Sequence, residues 1–321
     1  MGGYRGTEAM RIAAIDIGSN TVLLLIADVT TDGITPVHHE QRLPRLGRNV
    51  DGQGRIHPTA FDQIAWIVNE YKNLARQMRT EKIVAVTTSA VRDADNRNEF
   101  LTYIHRTTGI AVEILSGKEE AFLSYIGTLS GFTTLPQETA VLDIGGGSAE
   151  LTYPIPGHTN GNLDLQHYSF QIGAVRITER FFKDNPPTDA QLESARQNIL
   201  EELSQVRNPG LYQYTLVGVA GTVTTLACLD QHLPDFDVEK VRGYEMKKER
   251  IDYWSTTLSS MKTTDILNLS NVITGREDIL TAGVLILREI MSLLGFHEIL
   301  VSERGLRYGV IIKEWEKHNE G

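Results

Sequence analysis

Two stretches of the chain pair an aspartate with a glycine turn, Asp16-Ile17-Gly18-Ser19-Asn20-Thr21 and Asp143-Ile144-Gly145-Gly146-Gly147-Ser148. A small residue in such a turn lets backbone N–H groups approach a phosphate closely. Ser19, Asn20, Thr21 and Ser148 add side-chain donors. An aspartate at a strand end, Asp16 or Asp143, suits a hydrated magnesium ion, which takes carboxylates together with substrate phosphates. One Asp-Ile-Gly element by itself would do no more than close a hairpin. Two copies in equivalent places, facing each other, would build one phosphate site from two turns.

A further donor set is Val219-Ala220-Gly221-Thr222-Val223-Thr224-Thr225. A strand that ends in a small-residue turn and opens a helix aims free N–H groups at an anion. The same residues suit an ordinary N-cap equally well. Of the neighbouring acids Glu119 and Glu120, the first has a structural role, because Ser116-Gly117-Lys118-Glu119 has the form of a capping box. Glu120 has no such role and stands in a first helical turn, where an acid is favoured in any case. Arg92 follows a strand and the polar turn Thr87-Thr88-Ser89, which puts it near that strand's C-terminal edge or simply on the surface.

Other chemistries lack their signatures. The nine histidines show no ligand spacing and no His-Glu-x-x-His. A Gly-x-Ser-x-Gly elbow is absent. Gly117-Lys118 lacks the upstream glycine and the following hydroxyl residue of a P-loop, and Glu150 stands where a dinucleotide fingerprint needs glycine.

The elements that must position these residues follow from periodicity. Arg11 to Asp16 and Thr21 to Val29 read as strands flanking the first turn, with a third strand over Ile34 to Glu40 and a basic, Gly-rich loop over Arg42 to Arg55. Strand–turn–strand is unlike the Walker and Rossmann loops, which lead into a helix. Thr59 is expected to cap a helix to about Arg79 whose apolar stripe runs Phe61, Ile64, Val68, Tyr71, Leu74, Met78. Ile83 to Val86 and Ala111 to Leu115 read as strands, Asn98 to Thr108 as a helix closed by Gly109, and Ser116 opens a helix to about Gly131. After a linker to Glu138 the pattern starts again, with strands Ala140 to Asp143 and Ala149 to Tyr153 around the second turn. Such spacing exceeds the roughly 20–50 residues of solenoid repeats and points to a duplicated domain. Helices over Thr188 to Val206, from Gly221, over Lys247 to Ser260, Leu280 to Leu294 and Leu306 to Lys317, with strands Leu216 to Val219 and Ile299 to Ser302, complete an α/β class.

Composition sets the outer bounds. A length of 321 residues suggests two domains. With 41 acidic and 31 basic residues and a net charge of −10, a general nucleic-acid binder is excluded. The single cysteine, Cys228, forms no internal disulfide. The longest apolar run, Val22 to Ala27, is far short of the roughly 20 residues a membrane span needs. Residues 1–9 have no apolar segment of the signal-peptide kind and read as a disordered extension, which leads to the expectation of a cytoplasmic protein.

Taken together, the two Asp-Ile-Gly turns, Ser116-Gly117-Lys118-Glu119-Glu120-Ala121, Thr88-Ser89-Ala90-Val91-Arg92 and Ala220-Gly221-Thr222 resemble the exopolyphosphatase / guanosine pentaphosphate phosphohydrolase family, from about Met10 to the end of the chain. The resemblance implies two ribonuclease-H-like domains of the actin-like ATPase superfamily around a cleft. Domain I is then expected over 10–131 and domain II over 132–304, with the last helix, about 305–321, packing back on domain I. By resemblance Glu120 is the general base for water, Arg92 binds a substrate phosphate, and Asp143, Gly145, Ser148 and Glu150 line the phosphate and metal site. Phosphate contacts are expected from Gly18, Ser19, Asn20, Thr21, Gly145, Gly146, Gly147, Ser148, Gly221 and Thr222, and metal contacts from Asp143, Glu150 and Asp16. The implied cofactor is magnesium or manganese, and the implied assembly a homodimer. Longer family members carry further C-terminal domains, so this chain is expected to be the short, two-domain form.

Two activities fit, release of terminal phosphate from inorganic polyphosphate and removal of a phosphate from guanosine pentaphosphate. Rates on both substrates would separate them. An ATP-dependent kinase of the same superfamily would need an adenosine pocket, and Glu120 argues against it. A non-catalytic regulator would bind guanosine penta- or tetraphosphate and hydrolyse nothing. The acidic net charge opposes a polyanionic substrate, so the turns, a divalent metal, Arg92 and the loop cations Arg42, Arg45 and Arg48 are expected to hold it.

Overall fold

A computed structural model describes residues 9–47, 50, 54–136, 138–155, 164–207 and 210–320. The expected extension, apart from Ala9, and Arg48 lie outside these residues.

The first half holds β1 (Met10–Ile17), β2 (Val22–Thr30), β3 (Gly33–Arg42), α1 (Pro58–Gln77), β4 (Lys82–Thr87), the short α2 (Ser89–Arg92), α3 (Arg97–Thr108), β5 (Val112–Ile114) and α4 (Gly117–Leu129). Its five strands lie in the order β3-β2-β1-β4-β5. The first three pair antiparallel, while β4 and β5 add in parallel.

The second half holds β6 (Thr139–Ile144), β7 (Ala149–Pro154), β8 (Leu165–Phe170), α5 (Ala174–Phe181), α6 (Asp189–Leu203), β9 (Thr215–Val219), α7 (Ala220–Asp230), α8 (Val238–Val241), β10 (Glu245–Lys247), α9 (Lys248–Ser259), α10 (Thr263–Leu267), α11 (Leu280–Leu294), β11 (Glu298–Val301) and α12 (Leu306–Glu320). Its sheet runs β10-β11-β9-β6-β7-β8. Apart from the added β10, this is the order of the first sheet again, with a hairpin pair followed by parallel strands on the far side of its first strand.

Strand β1 shows why the first sheet is buried on both faces. Ala13, Ile15 and Ile17 pack with Phe61, Ile64, Val68 and Tyr71 of α1. The alternate residues Ile12 and Ala14 pack with Leu306, Tyr308, Val310 and Ile311 of α12. Period-two alternation sends successive side chains to opposite layers, so an apolar run is what a doubly covered strand requires. The last helix thus covers the first sheet and crosses α4 at glycines. A Cβ at Gly309 would stand 1.8 Å from the Leu123 carbonyl oxygen, and one at Gly127 would stand 2.2 Å from that of Gly305.

Two local details differ from expectation. His57, not Thr59, caps α1, accepting from the Thr59 N–H at 3.3 Å, because Pro58 takes the first helical position and supplies no donor. The polar turn after β4 is a single helical turn, α2, that carries Arg92. Among the described residues, no helix is long and apolar enough to cross a membrane.

Candidate active site

The two Asp-Ile-Gly turns are built alike. Gly18 N–H donates to the Thr21 carbonyl at 2.9 Å, and Gly145 N–H donates to that of Ser148 at 3.0 Å. Each aspartate is the last residue but one of its strand, at the same register, Asp16 opposite Leu23 and Asp143 opposite Glu150. The turns also touch. A Cβ at Gly146 would stand 2.9 Å from Ser19 Cβ, and one at Gly147 would stand 2.6 Å from Ser89 Oγ. Glycine here is a packing requirement, since a side chain would push the second turn away from the first turn at Gly146 and from α2 at Gly147.

Between them lies a cavity of about 150 Å³. Asp16, Gly18, Ser19, Asn20, Thr21, Glu120, Asp143, Gly145, Gly146, Ser148, Gly221 and Thr222 all line it. Gly147 lines an adjoining cavity that shares Ser19 and Gly146 with the first. Arg92 and Glu150 do not line the main cavity.

Glu120 sits one residue past the N3 position of α4. The capping box there is complete, with Glu119 N–H donating to Ser116 Oγ at 3.2 Å and Ser116 N–H donating to Glu119 Oε2 at 3.1 Å. Glu119 is thereby consumed locally, and Glu120, 9% exposed, faces the cavity. Burial raises Glu120 to about 7 against the opposing pull of Arg92, whose Nη1 donates to Glu120 Oε2 at 2.8 Å. Arg92 Nη1 also donates to the Leu115 carbonyl at 3.0 Å.

Asp16 is raised to about 7 by burial, with Asp143 adding to the rise and Arg307 opposing it. Its Oδ1 is buried and accepts no hydrogen bond among the described residues. Burial also raises Asp143, although Ser124 Oγ donates to its Oδ2 at 2.6 Å. Glu150, 3% exposed, accepts from Ser169 Oγ at 3.2 Å. Burial, then the charges of Glu120 and Asp143, push it well above the usual carboxylate range.

Among the described residues, no group of three or more His, Cys, Asp or Glu side chains is arranged to hold a metal ion. Magnesium does not need such a cage, since it is held by one or two carboxylates with waters and phosphate oxygens. Asp16, with its orphaned buried oxygen, and the adjacent Asp143 fit that requirement.

Two cations of the cavity were not singled out from sequence. Arg276 lies in the loop before α11, and Arg307 is in the first turn of α12. Burial pulls Arg276 down to about 10; among the described residues its side chain pairs with no acid and donates only to Gln41 Oε1, at 3.4 Å. Its guanidinium lies over Gly221, where a Cβ would stand 1.7 Å from Nη1. Arg307 donates to the Leu24 carbonyl at 3.0 Å, and burial lowers it against the opposing charge of Asp16. No side chain caps the start of α7, so Gly221 and Thr222 bring an uncapped helix N-terminus to the wall that carries Arg276.

Of the loop cations, Arg42 and Arg45 do not line this cavity. Arg42 pairs with Glu40. Arg45 pairs with Asp278 at 2.6 Å and Glu277 at 3.6 Å.

The site can therefore hold phosphoryl oxygens between two glycine turns, a helix N-terminus and two partly buried guanidinium groups, with carboxylates lining the same cavity. The crystal structure of an exopolyphosphatase-like protein is 30% identical and superposes with a TM-score of 0.89, over 96% of this chain and 98% of that one. Fold and cleft together define a phosphoanhydride hydrolase built from two domains of the actin-like ATPase type.

The family is then fixed by sequence. Residues 25–318 match the Ppx/GppA phosphatase family, and the chain belongs to it. Exopolyphosphatase 2 of Mycobacterium tuberculosis is 31% identical over 317 residues, covering 94% of this chain and 98% of that protein. A solved Ppx/GppA family member from Aquifex aeolicus is 30% identical with a TM-score of 0.80, over 97% of this chain and 99% of that one.

Proposed function

We propose that this protein releases terminal phosphate from inorganic polyphosphate, with Glu120 as the base that activates water. The observation that carries the reading is the placement of Glu120. It lines the phosphate cavity beside both glycine turns, Arg92 holds its Oε2, and its rise to about 7 suits proton acceptance near neutral pH. The terminal phosphoryl group would lie between the turns at Gly18–Thr21 and Gly145–Ser148. Water forms the new P–O bond as the bridging P–O bond breaks, and its proton passes to Glu120. Arg276, Arg307 and the N–H groups at Gly221 and Thr222 neutralise the charge on the phosphoryl and departing oxygens. Asp16 and Asp143 would hold magnesium or manganese, which would supply further neutralisation of phosphate charge.

Phosphate release from polyphosphate by the purified protein tests the reading, with Glu120→Gln as the control. Turnover in wild type that falls by about 10²–10⁴-fold in the variant is expected. Equal turnover in both would overturn it.

A second substrate, a guanosine pentaphosphate, is favoured by a separate feature. The phosphate cavity shares the wall of Leu23, Gly221, Arg276 and Arg307 with a larger cavity of about 530 Å³. Phe236, 49% exposed, and Asn271 line that second space, and they suit the flat, hydrogen-bonding face of a nucleobase. Steady-state rates on both substrates decide the preference.

A further inference from the structure

Arg45 reaches across the cleft to the loop that carries Arg276. Its Nη1 donates to Asp278 Oδ2 at 2.6 Å and its Nη2 to Asp278 Oδ1 at 3.1 Å, a forked pair. The same Nη2 donates to the Gly275 carbonyl at 3.2 Å. Arg276 lies between those two anchor points. On its own side of the cleft, Arg45 is fixed to the first glycine turn. Its N–H donates to the Asn20 carbonyl at 3.2 Å, and Gly47 N–H donates to that of Ser19 at 2.7 Å. Arg45 holds a left-handed backbone, with φ of 55°, which bulky residues adopt only where surrounding contacts demand it.

The opposite loop is shaped to receive it. Gly275, with φ of 80°, comes so close that a Cβ there would stand 2.7 Å from Leu43 Cδ2. Arg276 has no acid partner of its own among the described residues, so the backbone of its loop sets where its guanidinium lies. We propose that Arg45 is a positioning residue, which fixes the first phosphate turn and the Arg276 loop as one unit and so presents the Arg276 guanidinium to the phosphate. This rests on the reading of Arg276 as a phosphate-neutralising cation given above. It reassigns Arg45 from direct contact with a polyphosphate to the geometry of the cation that makes such contact.

The test compares wild type with Arg45→Ala, Arg45→Lys, Asp278→Asn, Arg276→Ala and the double variant Arg45→Ala/Arg276→Ala. Two readouts are taken, phosphate release from polyphosphate and, in a Glu120→Gln background that does not turn over, calorimetric affinity for tripolyphosphate. Thermal melts report folding. Displacement of a positioned group by about 1 Å can cost around 10²-fold in rate. Arg45→Ala is therefore expected to lower kcat/KM by about tenfold or more, and Asp278→Asn comparably. Arg45→Lys falls between, because an ammonium keeps the charge without the fork. The double variant is expected to be no worse than Arg276→Ala alone.

Additive losses in the double variant, or an Arg45→Ala effect confined to melting temperature, would overturn the proposal. If Arg276→Ala is impaired and Arg45→Ala is not, the positioning role falls while the cation stands. If Arg276→Ala matches wild type, both fall. If wild type releases no phosphate, the catalytic reading fails, and the tripolyphosphate affinities still decide whether Arg45 acts through Arg276.

Discussion

Arg92 Nη1 donates to Glu120 Oε2 at 2.8 Å and to the Leu115 carbonyl at 3.0 Å, so a single guanidinium grips the carboxylate and the chain just ahead of its helix. Arg92 is thereby a residue that orients Glu120. Its side chain stands between that carboxylate and Asp93, 3.9 Å from the latter. Arg92→Ala is expected to lower kcat by roughly 10–100-fold with a smaller change in KM, since orientation acts on the chemical step. A rise in KM at unchanged kcat would instead point to a direct contact with substrate phosphate.

Glu119 and Glu120 are adjacent in sequence and opposite in role. Glu119 closes the capping box, and hydrogen bonds from Ser116 hold it below its ordinary value. Glu119→Ala is expected to cost about 0.5–2 kcal/mol of stability, with turnover retained in the folded protein. Glu119→Gln, which still suits the box, should be milder. Urea unfolding and initial rates on the same samples check both. A selective loss of turnover in Glu119→Gln would reverse the two roles.

The features legible in sequence were those built from residues close in the chain. The two Asp-Ile-Gly turns, the capping box at Ser116–Glu119 and the left-handed Gly109 that closes α3 are all set within a few residues. Helix α11 keeps the bounds its apolar pattern predicts, Leu280–Leu294. What was missed depends on packing between distant segments. Strand β8 is an edge strand whose residues Leu165 to Ser169 are all partly exposed, so no clean alternation marks it. Arg276 and Arg307 look like ordinary charged residues in sequence. Only the approach of Gly221 to one and the Leu24 carbonyl to the other brings them into the cavity. The single hint was Gly275 beside Arg276, a turn residue next to a cation.

The crossing of α4 and α12 fixes the helix that carries Glu120. Gly309 meets the Leu123 carbonyl where a Cβ would come to 1.8 Å, and the obstacle is backbone that cannot rotate away. Gly309→Ala is expected to destabilise by about 1–3 kcal/mol or more, and to lower activity as α4 shifts. Leu267→Ala, at a site 39% exposed, serves as a control that should stay near wild type. Equal melting temperatures for Gly309→Ala and wild type would contradict the crossing.

Asp230 ties α7 to α9. Burial would raise its carboxyl, but hydrogen bonds from Tyr244, Trp254 and Arg250, at 2.7, 2.8 and 2.7 Å, outweigh this and leave it below its ordinary value. A carboxyl depressed on folding contributes stability that is present above its unfolded pKa, near 3.9, and is lost as pH falls through the lower folded value. Asp230→Asn is therefore expected to destabilise at neutral pH, by about 1–3 kcal/mol. The gap from wild type should narrow as pH falls below about 4. Denaturant melts at pH 7 and pH 3 read it. A gap that widens in acid would refute the assignment.

Asp16 has a buried oxygen without a hydrogen-bond partner among the described residues, and the neighbouring charge of Asp143 pushes it further up. Two such carboxylates beside a polyanion would repel it, and Arg276 and Arg307 are the cations that line the cavity. A divalent ion held by Asp16 and Asp143 would turn that repulsion into attraction. Excess chelator should therefore abolish phosphate release, and magnesium or manganese should restore it. The same ions should raise the melting temperature of wild type, since a ligand at about 100 times its dissociation constant adds roughly 2.7 kcal/mol to stability. Asp16→Asn and Asp143→Asn should each lose both responses. Full activity in chelator, or an undiminished metal-induced shift in both variants, would show that these two aspartates do not hold the ion.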